Sequence, residues 1–294
     1  MELPSICNFS NTVMYLFTDS LIRLLPTGKG DNAICFFNKK IVNYIMKTIY
    51  FVSDAHLGIE TSEKEHLKEK QLLSFFQYIE KKTDCLIIVG DLFDFWFDYQ
   101  WVIPRHHLKI ISALKRLTDH GVKIMYCVGN HDFWLGNFFQ NDLKISIHRN
   151  PLCLEIDKYH FFITHGDGLN KKDIAYRILK TILRNPLTAR FCRLMHPDIT
   201  FSLARWFSSL SRQNRPDRDL RDPYVNFARQ LFDNGFDFVV MGHTHEAMIL
   251  QENGHTYVNT GEWMQQFTYA VYDNGKLALK HWKQTGMKDS KNET

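Results

Sequence analysis

Residues 47–56 read Lys47-Thr48-Ile49-Tyr50-Phe51-Val52-Ser53-Asp54-Ala55-His56. The β-branched and aromatic run predicts a buried strand, and the Ser-Asp that closes it predicts a polar loop at the strand's carboxyl end. Outward from this stretch the text alternates as a parallel sheet requires. Residues 63–80 predict a helix, with Leu67, Leu72, Phe75, Phe76 and Ile79 near helical spacing on its inner face. Residues 85–90 predict a second buried strand and 122–129 a third. Between them, 107–120 predict a helix with Ile110, Ile111, Leu114 and Leu117 inward and Gly121 as its stop. Residues 159–164 and 236–241 supply two more strands. Residues 247–250, 255–259, 267–272 and 277–281 read as short antiparallel strands, with Asn253-Gly254 and Asn274-Gly275 as hairpin turns. The fold class is α/β.

Two segments depart from this pattern. Residues 1–45 follow neither period and predict a dispensable N-terminal extension, with Met46 as the native start; a helix packed on the body is the competing reading. Residues 46–294 form the main domain. Within it, 171–221 predict a helical insertion without strand signals.

The chain has 294 residues and a formal net charge of +4, too little to announce a nucleic-acid or membrane partner. Its 45% hydrophobic and 23% charged fractions exclude a disordered, collagenous or coiled-coil chain. The six cysteines include no close pair, so neither a zinc knuckle nor a redox motif is spelled. No apolar run reaches the length of a spanning helix, and acidic Glu2 without a basic opening segment speaks against a secretory signal.

Polar groups gather where the predicted strands end: Asp54-Ala55-His56, Gly90-Asp91, Gly129-Asn130-His131-Asp132, Thr164-His165-Gly166-Asp167 and Gly242-His243-Thr244-His245. The carboxyl ends of strands form the ligand crevice of an open α/β sheet, so segments far apart in sequence converge there. Any one of these pieces alone is as well explained by a helix cap, an Asx turn or a solvated hairpin. Their common position after successive strands is what excludes chance. Carboxylate, imidazole and amide donors without thiolate suit Mn²⁺, Fe²⁺ or Zn²⁺ and argue against a structural zinc site.

In this order the five blocks resemble the calcineurin-like metallophosphoesterase superfamily from Met46 to about Trp282. The resemblance implies a four-layer αββα sandwich of two packed sheets, a helical lid insertion, and two divalent metal ions at the strand ends. Asp54, His56 and His245 would bind one ion, Asn130, His165 and His243 the other, and Asp91 would bridge them. His131, the family's histidine beside the metal-binding Asn130, would be the catalytic group that hydrogen-bonds a phosphoryl or leaving-group oxygen, with Asp132 as its orienting partner. Asp94 and Asp98 would be further acceptors or face solvent, and Asp167 would brace its loop. The string Phe93, Phe95, Trp96, Phe97, Tyr99 and Trp101 follows the Gly-Asp block and suggests an apolar wall of a substrate groove, with Trp96 among the contacts.

The insertion 171–221 holds twelve basic and four acidic residues, a local +8 that leaves the rest of the chain at −4. Ile174, Ile178, Ile182, Leu194, Ile199, Phe201, Leu203, Trp206, Phe207 and Leu210 recur near helical spacing within it. A basic amphipathic segment suits an anionic amphiphile or a membrane surface. Gly-Asp-Leu-Phe-Asp-Phe-Trp (90–96), Gly-Asn-His-Asp-Phe-Trp-Leu-Gly (129–136) and His-Gly-Asp-Gly-Leu (165–169) are similar to the UDP-2,3-diacylglucosamine hydrolase branch of lipid A biosynthesis. That likeness implies Mn²⁺, release of UMP from a UDP-linked diacylated glucosamine, and a lid that grips acyl chains. It also implies substrate contacts from Asn130, His131, Asp173 and Tyr176, and a cytoplasmic enzyme touching the inner membrane peripherally without a nucleic-acid partner. The branch carries Arg where this chain has His131. A phosphodiesterase or phosphatase acting on soluble nucleotides or nucleic acid is the alternative, and a non-catalytic scaffold of the same fold is a third reading.

Overall fold

Alternating side chains divide each central strand between two different cores. In the computed structural model, β5 (Thr48–Val52) turns Ile49 and Phe51 to one side and Tyr50 and Val52 to the other, all buried. The structure describes residues 14–17, 20–26, 32–36, 42–44, 46, 48–59, 62–169, 181, 185–213 and 221–282. Ahead of β5 stand β1 (Met14–Phe17), β2 (Ser20–Pro26), β3 (Asn32–Phe36) and β4 (Val42–Tyr44). Beyond it run β6 (Cys85–Ile88), β7 (Lys123–Cys127), β8 (Ser146–His148), β9 (Leu152–Ile156) and β10 (Tyr159–Ile163). The last five are β11 (Phe238–Met241), β12 (Met248–Glu252), β13 (His255–Asn259), β14 (Thr268–Asp273) and β15 (Lys276–His281). The described α-helices are α1 (Ser62–Ile79), α2 (Leu108–Asp119), α3 (Pro186–Leu194), α4 (Pro197–Gln213) and α5 (Arg221–Asp233).

Two six-stranded sheets carry the fold, in the orders β15-β14-β5-β6-β7-β8 and β12-β13-β11-β10-β9-β4. They pack face to face: Ile49, Phe51, Ile87 and Met125 of the first meet Phe161, Ile163, Val240 and Val258 of the second in one buried cluster. The outer face of the first sheet is covered by α1 and α2 through Tyr50, Leu86, Tyr126, Leu72, Phe75 and Leu114. That of the second is covered by α5 through Phe162, Val239, Tyr224, Ala228 and Leu231. The expected αββα sandwich is the observed architecture. Both hairpin turns have positive φ at both residues, 50° and 86° at Asn253-Gly254 and 47° and 82° at Asn274-Gly275, as a type I′ turn requires.

Three differences from the sequence reading have physical causes. β8 is a three-residue edge strand, too short for a pattern, whereas β9 alternates Leu152, Leu154 and Ile156 inward. β1, β2 and β3 form a three-stranded antiparallel sheet where a helix is the competing reading, and β4 pairs in parallel with β9. On α1, Leu67 is 47% exposed and Lys68 only 1%, so a lysine occupies the inner stripe. Among the described residues no helix is long and apolar enough to cross a membrane.

Among the described residues the β1–β3 sheet hydrogen-bonds to neither large sheet, and β4 adds only three residues at an edge. We propose that residues 1–45 are dispensable. A chain beginning at Met46 should keep its circular dichroism spectrum and metal-dependent activity within about twofold, because edge and surface changes away from the core usually cost little. Loss of cooperative unfolding would show instead that β4 is needed to cover β9.

Candidate metal centre

The five predicted blocks meet at the carboxyl ends of β5, β6, β7, β10 and β11. Backbone bonds tie them, Asp54 N–H to Gly90 O (3.1 Å) and Gly242 N–H to His165 O (3.1 Å). Asp54, His56, Asp91, His243 and His245 all sit at positive φ, 52°, 42°, 53°, 71° and 63°. Non-glycine residues rarely adopt this region, and such strain persists only where surrounding structure enforces it. Here it turns the chain sharply enough that residues two apart, such as Asp54 and His56, face one point.

What enforces the strain is visible in the contacts. His243 N–H (2.9 Å) and the Ser53 hydroxyl donate to Asp54 Oδ2. His131 N–H donates to Asp91 Oδ1 (2.9 Å). The buried Lys68 donates from Nζ to His56 O (2.8 Å) and pairs with Glu65 (3.0 Å), which accepts from Gly58 N–H (2.8 Å). Two glycines are dictated by close approach: a Cβ on Gly242 would lie 2.6 Å from Asp54 Oδ2, and one on Gly129 would collide with Asp91.

Each of the two acids therefore has one oxygen held by the chain and one turned inward. Asp54 Oδ1 accepts no well-aligned hydrogen bond; it lies 3.2 Å from His245 Nε2 and 3.6 Å from His56 Nε2, and those two nitrogens are 3.2 Å apart. Asp91 Oδ2 lies 3.1 Å from His165 Nε2 and 3.8 Å from His56 Nε2. His165 Nε2 is also 3.2 Å from Asn130 Oδ1 and 3.3 Å from His243 Nδ1. The seven residues expected as ligands are thus brought together: Asp54, His56 and His245 form one cluster, Asp91, His165 and His243 another with Asn130 beside His165, and a third cluster of His56, Asp91 and His131 links the two.

The donor set fits divalent cations. Metal–ligand bonds of about 2.0–2.2 Å put neighbouring donors roughly 3 Å apart, close to the separations found. With His165 Nδ1 donating to Val89 O (2.8 Å), a neutral ring turns its Nε2 lone pair on the acceptors Asp91 and Asn130. Only a proton or a metal ion resolves that opposition. Electrostatics agree: burial acts to raise the Asp91 carboxyl, but His165, His131 and His56 hold it well below the usual carboxylate range. Against the opposing effect of burial, hydrogen bonds to Asp54 and Asp94 lift His56 to about 9, and the Asp91 charge lifts His165 to about 10. Burial and the neighbouring His165 push His243 down to about 3. The pocket demands positive charge, and two groups of lone pairs converge to receive it.

Around the centre, two expectations need correction. Asp132 does not orient His131: its carboxylate accepts from Leu92 N–H (2.9 Å), Gly129 N–H (2.9 Å) and the Tyr126 hydroxyl, and so fixes the loop. The orienting contact comes from Asp94. His131 Nδ1 donates to Asp94 O (2.9 Å) and lies 3.2 Å from Asp94 Oδ1, which is also 3.4 Å from His56 Nδ1. Trp96 is not a groove wall, being 1% exposed and stacked on Phe138 and His107. Phe93 and Phe97 are buried with it, since this loop lies back over α2 and the start of the π-turn Phe138–Asp142. Phe95 and Tyr99 reach the lid, Phe95 edge-on to Phe201 of α4 at 5.0 Å and Tyr99 donating its hydroxyl to Cys192 O of α3 (3.4 Å). Asp98 accepts from Phe138 N–H (3.4 Å), and Asp167 is buried beside the centre. Asp173 and Tyr176 lie outside the described residues.

Sequence reasoning missed Lys68 and Ser208. The first had a signal, since it stands at helical spacing from Leu72, Phe75 and Ile79. The second, whose hydroxyl donates to Asp94 Oδ1 (3.0 Å) from α4, had none.

Residues 47–247 match the calcineurin-like phosphoesterase family. A UDP-2,3-diacylglucosamine hydrolase of Porphyromonas gingivalis is 28% identical over 253 residues, covering 79% of this chain and 96% of that protein. One of Neisseria meningitidis serogroup B is 30% identical over 239 residues, covering 80% and 97%. One of Haemophilus ducreyi is 30% identical over 233 residues, covering 74% and 92%. The match spans every strand end that supplies a donor, and the donors stand where a dinuclear centre needs them, so this chain belongs to the calcineurin-like phosphoesterase family of metal-dependent hydrolases.

Proposed function

We propose that the protein hydrolyses the pyrophosphate of UDP-2,3-diacylglucosamine to UMP and 2,3-diacylglucosamine 1-phosphate. The observation that carries this reading is the lid: α3 and α4 leave Leu187, Phe191, Leu194, Ile199, Leu203 and Trp206 exposed, with Arg190 and Arg193 exposed on α3. Ser208 and Phe201 of the same α4 dock on Asp94 and Phe95, next to the metal loops. An apolar, basic face there suits an acylated anionic substrate, and the relatives' common activity agrees with it. A soluble nucleotide would leave that face without use.

In this reading Asp54, His56 and His245 would hold one ion, Asn130, His165 and His243 the other, and Asp91 would serve both. When bound, two divalent ions, Mn²⁺ first and Fe²⁺ or Zn²⁺ as alternatives, supply hydroxide near neutral pH and neutralise the phosphoryl oxygens. His131, its Nδ1 held by Asp94, presents Nε2 to a phosphoryl or leaving oxygen and can carry a proton there. The loop that Asp132 fixes keeps Asn130 and His131 in register. Asp173 and Tyr176 would contact the glucosamine or phosphate region. The enzyme would work at the cytoplasmic face of the inner membrane, touching it through the lid.

The direct test is release of UMP from UDP-2,3-diacylglucosamine by the purified Mn²⁺-loaded protein. Faster turnover of soluble nucleotides than of this substrate would reject the assignment. Asp94→Asn should lower kcat about 10- to 100-fold with both metal ions still bound by elemental analysis, the cost typical of losing an orienting partner. Unchanged kcat would remove Asp94 from the mechanism. Trp206→Ala should raise KM for the acylated substrate about tenfold while leaving a small aryl phosphate unaffected. Equal losses on both would count against an acyl-binding lid.

A further inference from the structure

Beside the metal loops a cavity of about 410 Å³ opens between the body and α4. That volume falls in the range of small-molecule sites, roughly 300–1,000 Å³. It begins one residue past metal-binding His56, at Leu57, and shares Asp94 with the centre, so its contents would be contiguous with a group held at the metals.

Its walls have a composition unlike that of the exposed apolar face. Phe201 meets Phe95 edge-on at 5.0 Å and His106 edge-on at 5.9 Å, giving three planar rings around one space. Arg105 and Arg205 line the same space. Neither guanidinium makes an ion pair among the described residues. The acids nearby are committed elsewhere: Glu65 to Gly58 N–H and Lys68, and Asp94 to Ser208, His56 and His131. Burial and then the charges of Arg205 and Arg105 lower the pKa of His106, which leaves it a neutral, stackable ring at pH 7.

Two guanidiniums among aromatic rings are a poor lining for acyl chains, because covering them with hydrocarbon would strip their water without compensation. They are a good lining for a planar base bearing a phosphate, which rings stack and guanidiniums pair. We infer that this cavity is the nucleoside subsite, taking the pyrimidine nucleotide half of the substrate against Phe201 and Phe95, with its phosphate toward Arg105 and Arg205. The inference rests on the pyrophosphatase reading above and divides the substrate: nucleotide into the cavity, acyl chains onto the outer face of the lid.

UMP itself is the probe, titrated calorimetrically into the full-length Mn²⁺-loaded protein. Phe201→Ala and Arg205→Ala should each weaken UMP binding roughly tenfold or more, the scale of losing one base–aromatic contact or one phosphate partner. Trp206→Ala, on the same helix but outside the cavity, should leave UMP binding unchanged. UMP affinity unaltered in both cavity variants, or lowered as much by Trp206→Ala, would overturn the subsite. The two readings fail separately. If UDP-2,3-diacylglucosamine is hydrolysed while UMP binding ignores Phe201 and Arg205, only the subsite falls. If UMP binding depends on both and that substrate is untouched, the pyrophosphatase reading falls and the cavity remains a nucleotide site.

Discussion

Asp54 and Asp91 bury negative charge where two sheets meet, and a carboxylate withdrawn from water costs several kcal/mol unless cations or hydrogen bonds meet it. The chain meets that cost by halves. One oxygen of each acid takes backbone N–H groups, His243 for Asp54 and His131 for Asp91, and the other is left facing imidazoles. That division fixes the direction of the free lone pairs more tightly than a side-chain rotamer could. It also explains why residues at positive φ are concentrated here: the donating N–H groups and the ligands lie in the same turns.

A buried cation, Lys68, completes the support from the helical layer. Its Nζ holds the carbonyl of His56, a residue whose own ring faces both acids. Glu65 compensates the charge and holds the next turn through Gly58. The first helix thus covers the sheet and also anchors the strained loop at its end. On the other side, Asp94 gathers His56, His131 and Ser208, so the docking of the lid and the placement of His131 share one carboxylate.

Charge follows the same geography. The modest +4 of the whole chain combines a basic insertion with an acidic body. Five acids of the body, Asp54, Asp91, Asp94, Asp132 and Asp167, are buried at or beside the centre. On α3 and α4, Leu187, Phe191, Leu194, Ile199, Leu203 and Trp206 stay at the surface.

Repeating strand–loop–helix text made the sandwich legible, because a period of two or of 3.6 is a local property that survives without neighbours. The metal-ligand candidates were legible for a related reason: each follows a strand directly, and neighbouring strand ends bring β5, β6 and β7 together in one sheet and β10 and β11 in the other, the two sheets then packing face to face. The sequence by itself therefore determined the layers and which residues reach the crevice. Only the tertiary structure decided who partners whom across it. Asp132 and Asp94 are both acids beside the site, and their roles separate through contacts with Tyr126, Leu92, His56 and Ser208, which no spacing encodes. Trp96 and Phe95 are neighbours in one aromatic string, yet the first is core and the second faces the lid. In an irregular loop no period assigns a side chain to a face. What settles it is the shape of the elements packed above and below.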